Sequence, residues 1–394
     1  MKVLFFSVGD SSNASVWSNV PLCFSSALEK AGVSVVRVNL ETCTIFANFY
    51  NLVLRRIINV FMLMIVKSSY FEKTIWFKII AEKKIKDTIE AHADANFCFF
   101  MGYGFYNKWS QTPSLLFSDW TTEMDILKKR PTNFLDKRII HQEEEAINHA
   151  EYVISLFPIC CEEMKKKYPK ANIHFLGGNV INDLLNKSLV SRSTFQVSNN
   201  NADNTIIVED LIEKKSKSKK LLFIGRKTTY LEAAKKLIEA YKLLKEEEDY
   251  KDFTLDIVGC SASDFDSLPK GVTCYGFLNK SEERDRKTYY DLLLGAKVLV
   301  NANPKWGAFS STVEAMYYYT PVIVSPYQDF VKNFGEKIDF GVYNQDFTTE
   351  SIAKDIISVL NSDNYTEMCN FAHEIVESYT WENYIHKLLK LIDN

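Results

Sequence analysis

Four short apolar runs between residues 221 and 326 end in glycine or in a turn of small residues. Leu221-Leu222-Phe223-Ile224 runs into Gly225-Arg226, Asp256-Ile257-Val258 into Gly259-Cys260, and Val272-Thr273-Cys274-Tyr275 into Gly276-Phe277-Leu278. The fourth, Val298-Leu299-Val300, leads through Asn301 to Pro304 and Lys305-Trp306-Gly307-Ala308-Phe309 to Ser310-Ser311-Thr312-Val313-Glu314. Runs of this length read as buried strands, and their ends lie on the carboxyl edge of one sheet, where open α/β sheets bind ligands. Arg226 falls just past such an end. A guanidinium there can neutralise a diphosphate bidentately, unless it is an ordinary surface arginine. Ser310, Ser311 and Thr312 open a helix after a glycine turn. Its free N–H groups make an anion site, and the same residues serve equally as a plain cap. Glu314, on the first turn, is a dipole-favoured glutamate in its own right.

Other signatures are missing. No Gly-x-Gly-x-x-Gly follows a strand; Met101-Gly102-Tyr103-Gly104 has two glycines and no third. There is no phosphate loop and no Gly-x-Ser-x-Gly elbow. The six histidines form no close pair with metal-ligand spacing, so no metal is expected. Eight cysteines, none in a Cys-x-x-Cys pair, several within apolar runs, read as reduced core thiols. Asp119, in Phe117-Ser118-Asp119-Trp120, ends another strand; it reads either as a cleft residue or as a helix cap.

These residues must be held by alternating strands and helices. Apolar runs at Val3–Val8, Ser34–Val38, Asn96–Met101, Ser114–Phe117, Tyr152–Leu156 and Asn172–Leu176 alternate with helical patterns near 17–31, 70–91, 134–149 and 159–168. A second block alternates from Leu221 and closes with helical patterns over 348–360, 364–378 and 381–392. Such alternation implies parallel sheets covered on both faces. The chain of 394 residues, 46% hydrophobic and 25% charged, is long enough for two such domains. The expected boundaries are an N-terminal domain over 1–185, a linker or surface excursion over 186–218, a C-terminal domain over 219–375, and a last helix over 376–394 that crosses back to the first domain. The run Lys214-Lys215-Ser216-Lys217-Ser218-Lys219-Lys220 reads as a solvated face. A net charge of −3 excludes a general polyanion-binding surface, hence nucleic acid.

The N-terminal apolar run is too short for a signal-peptide core and reads as the first strand. Ile57 to Val66 is almost wholly apolar, flanked by Arg55, Arg56 and Lys67. It falls short of the ~20 residues that cross a bilayer. Residues 50–67 therefore form either a core helix or an interfacial helix that touches anionic membranes.

The succession of glycine-ended strands, the Gly225-Arg226 pair and the Ser310-to-Glu314 helix start resembles the second domain of retaining GT-B glycosyltransferases, in particular family 4. The resemblance implies two Rossmann-like doubly wound domains with a cleft between them, the first binding the acceptor and the second a nucleoside diphosphate sugar. It implies transfer of a sugar, with retention and without a metal cofactor, to a saccharide or lipid-linked saccharide in surface polysaccharide or glycoconjugate biosynthesis, in the cytoplasm at the inner face of a membrane. By the same resemblance Arg226 and a neighbouring lysine such as Lys227 stabilise the leaving diphosphate. Glu314 accepts from ribose hydroxyls. Gly259 and Gly276-Phe277-Leu278 hold the base, although Phe277 reads equally as core. The Gly9 loop, Asp119, Gly225, and Trp306 to Thr312 complete the site. Two positions depart from the family pattern. Trp306 stands seven residues before Glu314, where a glutamate is usual, and Leu231 and Glu232 occupy the place of the usual lysine. These departures keep two rivals open, a non-catalytic partner protein and a nucleotide-sugar epimerase of the same architecture.

Overall fold

Residues 1–41, 44–57, 71–127, 131–132, 134–177, 180–182, 201–304 and 309–393 are described by the structure, a computed structural model. The chain divides into unit 1, Met1–Gly178 with Trp381–Asn394, and unit 2, Asn179–Thr380.

Unit 1 is built on six parallel strands: β1 (Lys2–Ser7), β2 (Ser34–Asn39), β3 (Phe97–Met101), β4 (Ser114–Ser118), β5 (Tyr152–Ser155) and β6 (Ile173–Phe175). Their order is β2-β1-β3-β4-β5-β6. Helices cover both faces, so the central strands are unbroken apolar runs; Val3 to Phe6, Cys98 to Phe100 and Leu115 to Phe117 are all buried. On one face Phe24 packs 5.6 Å from Phe5 and 5.0 Å from Phe117. Trp381, from the last helix Trp381–Ile392, closes on Phe24 at 5.4 Å. Removing each such side chain from water contributes about 1.5–3 kcal/mol. The last helix therefore belongs to the core of unit 1, although it follows unit 2 in the chain.

Unit 2 repeats the plan with β7 (Lys220–Ile224), β8 (Thr254–Val258), β9 (Val272–Gly276), β10 (Val298–Asn301), β11 (Val322–Val324) and β12 (Gly341–Tyr343). All are parallel, in the order β12-β11-β10-β7-β8-β9. The strand order reverses direction between β7 and β10, and in unit 1 between β1 and β3. Such switch points open a crevice at the carboxyl edge of a doubly wound sheet. The two Rossmann-like α/β domains expected from the sequence are thus present.

The lysine-rich stretch differs from its reading as a solvated excursion. Asn201–Lys217 is a helix, and Ile212 is buried in the core of unit 2. Lys215 is wholly buried. Its Nζ donates to Leu293 O at 2.8 Å, Ala296 O at 3.2 Å and Thr320 Oγ1 at 2.8 Å. Two of these acceptors are at the end of the helix Glu283–Gly295, where carbonyls lack partners and a cation is favoured. The neighbouring Lys214, Lys217 and Lys219 have no such pocket, and charge periodicity alone does not distinguish them from Lys215.

Candidate functional site

Three strand ends of unit 2 are joined by backbone bonds. Gly225 N donates to Val258 O at 3.0 Å, Lys227 N to Gly259 O at 3.0 Å, and Gly259 N to Gly276 O at 2.7 Å. The approach is too close for side chains. Gly259 has φ +95°, and a Cβ there would lie 2.3 Å from Gly225 O. Glycine is thus required by both conformation and space. Arg226 follows as the first residue outside the helix Lys227–Leu244, in an extended conformation and exposed. Phe277, past the end of β9, is 64% exposed, so it is not core; Leu278 beside it is half-buried.

The helix Ser310–Tyr317 starts after β10, across the switch point from Gly225. Among the described residues no side chain caps its first turn, which leaves backbone N–H groups available to an anion. Thr312 is buried, so it offers only its backbone. Phe309 is buried too, with its ring 5.4 Å from Phe330 and 5.8 Å from Phe334. Trp306, Gly307 and Ala308 lie outside the described residues. At the neighbouring strand ends, Asn301 Oδ1 and Ser325 Oγ are buried without a hydrogen-bond partner among the described residues. Orphaned polar atoms of this kind are rare and mark a place where a polar ligand or water belongs.

Two expected ligand contacts are already engaged. Lys227 Nζ pairs with Asp264, whose carboxylate also accepts from Ser261 N at 2.8 Å. The Lys227 hydrogen bond holds that carboxyl below its usual range. Glu314 is 2% exposed. Its two oxygens take Lys280 Nζ at 2.9 and 3.1 Å, and Oε2 also accepts from Tyr289 OH at 2.5 Å. Lys280 lies over the Tyr289 ring, 3.9 Å from its centre, so the ammonium is held by both charge and π-face. Sequence reasoning missed Lys280 and Tyr289. A lysine four residues beyond a strand and a tyrosine inside a helix carry no pattern that ties them to a glutamate.

In unit 1, Gly9 follows β1 with φ +94°, its N–H bonded to Asn39 Oδ1 at 3.0 Å. Asp119 follows β4 and accepts from Trp120 N at 2.8 Å and Ser118 Oγ at 3.3 Å. Burial raises its carboxyl above the usual range. Among the described residues no three His, Cys, Asp or Glu side chains are grouped to hold a metal ion.

Residues 209–378 match the family model for glycosyl transferases group 1. No curated protein matches the sequence. Among solved structures, the chain is similar to a mutant of TarM from S. aureus in complex with fondaparinux, alpha-GlcNAc-glycerol and UDP, at 17% identity and TM-score 0.55; the match covers 80% of this chain and spans 59% of that one. It is similar over its whole length, and 99% of the other, to WaaG, a glycosyltransferase involved in lipopolysaccharide biosynthesis, at 12% identity and TM-score 0.63. A sucrose-phosphate synthase from Thermosynechococcus elongatus aligns over 100% of this chain and 98% of its own, at 14% identity and TM-score 0.61. The matched residues take in the three joined glycine strand ends, Arg226 and the Ser310 helix. Residues 209–378 are thus similar to glycosyl transferases group 1, in a chain whose two units share the Rossmann-like fold of these solved structures.

Proposed function

We propose that the chain is a retaining glycosyltransferase that moves a sugar from a nucleoside diphosphate sugar to a hydroxyl of a saccharide or glycolipid acceptor. The supporting observation is the β7/β10 switch point. Glycine-only backbone, Arg226, an uncapped helix start and two orphaned polar atoms meet there, inside the residues that match the family. In the reaction the bond from the anomeric carbon to the diphosphate oxygen breaks, and a bond to the acceptor oxygen forms. The electron pair leaves with the diphosphate, which takes up the acceptor proton. Arg226 and the N–H groups of Ser310 to Thr312 stabilise the departing charge, which grows towards the transition state. No bound metal is needed for this, because the neutralising groups belong to the chain. Trp306 stands in place of a carboxylate: facing the donor it favours a deoxy or N-acetylated sugar, since an indole accepts no hydrogen bonds from hydroxyls, whereas as a core or rim aromatic it leaves that contact to another residue. The ion pairs on Lys227 and Glu314 favour a second reading, the non-catalytic partner protein.

A thermal-shift series with UDP, GDP, ADP, CMP and dTDP, followed by transfer assays with the matching sugar nucleotides, separates the two readings. UDP comes first, because it is present in the TarM complex. A nucleotide at ~100 times its dissociation constant stabilises the protein by about 2.7 kcal/mol. Arg226→Ala is expected to lower turnover by about 1.5–3 kcal/mol of barrier, the worth of a hydrogen bond to a charged group. Nucleotide binding without transfer to any saccharide acceptor leaves the partner-protein reading. No shift with any nucleotide defeats the transfer reading.

A further inference from the structure

Unit 1 has a cavity of about 350 Å³ at its own switch point, between the ends of β1 and β3. Phe6, Phe100, Met101 and Trp120 line it from the sheet side, and Phe77 and Ile139 from the covering helices. Two of its polar side chains are engaged with neighbouring groups. The Glu143 carboxylate accepts from Thr122 N at 2.8 Å and Thr122 Oγ1 at 2.5 Å, and Gln142 Nε2 donates to Gly104 O at 2.6 Å. Polar groups already engaged, beside rings and aliphatic side chains, favour hydrocarbon over a hydroxylated sugar.

The cavity is joined to the surface by aromatic rings. Phe105 and Phe77 both line it and lie 6.2 Å apart. Phe77 is 6.1 Å from the buried Phe71, which is 5.4 Å from Phe46. Phe71 N is also held by Asn51 Oδ1 at 2.9 Å. These contacts bring together two helical stretches that display apolar side chains to solvent. Ile75, Trp76, Ile79 and Ile80 line the outer side of the helix Ile75–Ala91, opposite its buried Phe77, Ala81 and Ile85. Ile45, Phe46, Phe49, Leu52, Val53 and Ile57 are exposed on Thr44 to Ile57, which turns π-helical over Tyr50–Leu54. Ile45 is 80% and Trp76 62% exposed. The charged side chains of these stretches, together with Glu72, are Arg55, Arg56, Lys78, Lys83, Lys84 and Lys86 against Glu72, Glu82, Asp87 and Glu90; Glu82 is paired with Lys108 at 3.0 Å and Glu90 with Lys86 at 3.7 Å. An apolar patch with a basic surround fits an anionic bilayer. Among the described residues no helix is long and apolar enough to cross it. Of the 50–67 stretch expected to form a core or interfacial helix, residues 58–67 lie outside the described residues.

We propose that this face of unit 1 docks on an anionic lipid surface and that the cavity at the β1/β3 switch point takes a hydrocarbon chain of the acceptor, led in along the Phe46, Phe71, Phe77 and Phe105 rings. The inference rests on the glycosyl-transfer reading only in naming the bearer of that chain an acceptor.

The full-length chain is floated with vesicles of phosphatidylcholine, alone or with an equal part of phosphatidylglycerol. Wild type binds the anionic vesicles, and Trp76→Asp/Ile79→Asp and Arg56→Glu/Lys83→Glu each bind at least about tenfold less. The cavity is read separately by binding of monomeric decyl β-glucoside against methyl β-glucoside. Wild type binds the decyl compound, whereas Ile139→Trp, which fills the cavity, loses it and keeps vesicle binding. Equal flotation of all three proteins, or flotation of none, overturns the docking. A self-association by gel filtration that the Asp pair abolishes, without vesicle binding, assigns the face to a second copy and likewise overturns it. Unchanged decyl binding in Ile139→Trp overturns the cavity assignment. The nucleotide series reports on unit 2 alone, so its failure beside intact vesicle and decyl binding would defeat the transfer reading and leave the docking standing.

Discussion

Glu314 is a buried charge of unit 2 with its counter-ion beside it. A carboxylate at 2% exposure is stable there because Lys280 and Tyr289 supply three donated bonds. Taking away one partner of a buried pair leaves the other charge uncompensated, at about 3–5 kcal/mol. Lys280→Met is thus expected to lower the stability of unit 2 by about 3 kcal/mol in urea unfolding, and Lys280→Met/Glu314→Gln to recover most of it. A double variant no more stable than the single one would show that the ammonium is not there for the carboxylate. Lys215 makes the opposite case, a buried ammonium with no carboxylate. Burial pushes it down to about 7 from 10.5. Between those values the unfolded chain holds a proton that the folded chain has given up, so rising pH favours folding. Wild type should therefore gain melting temperature relative to Lys215→Met as pH rises from 7 to 9. A difference that stays flat over that range would mean that the three acceptors keep the lysine charged. Arg226 and Glu314 were legible as residues because they sit at fixed distances from strand ends. Lys280 and Lys215 were not, because their partners are 34 and 105 residues away.

At the scale of elements, strands were easier to read than helices. Eleven of the twelve strands among the described residues are apolar runs visible in the sequence. The exception, β12, is a three-residue edge strand with two half-buried residues, and its Gly341-Val342-Tyr343 carries no alternation. The helix Asn201–Lys217 escaped because polar and charged residues dominate it, although Ile212 and Lys215 are buried. Gln328–Phe334 was missed for its brevity. The joined ends of β7, β8 and β9 make a prediction of their own. Gly259→Ala should cost several kcal/mol, combining a left-handed φ with a Cβ inside the radius of Gly225 O. The expected result is a large drop in melting temperature and loss of nucleotide binding. Retained binding would mean that the strand ends can part without harm to the site.

For the whole molecule, the two-domain plan was readable from alternation alone, whereas the cavity of unit 1 was not, since Phe6, Phe77, Trp120 and Ile139 come from four separate stretches. The last helix adds a constraint that only the assembled unit displays. Trp381, Tyr384, Ile385 and Leu388 form its buried stripe, against Phe24 and Phe117. Unit 1 therefore receives its final piece of core after all of unit 2 has been made. During synthesis, which proceeds from the N-terminus, the ribosome releases some two hundred residues of unit 2 while Phe24 waits uncovered. A chain stopped at Thr380 should stay in that condition, aggregating at temperatures where the full chain remains in solution.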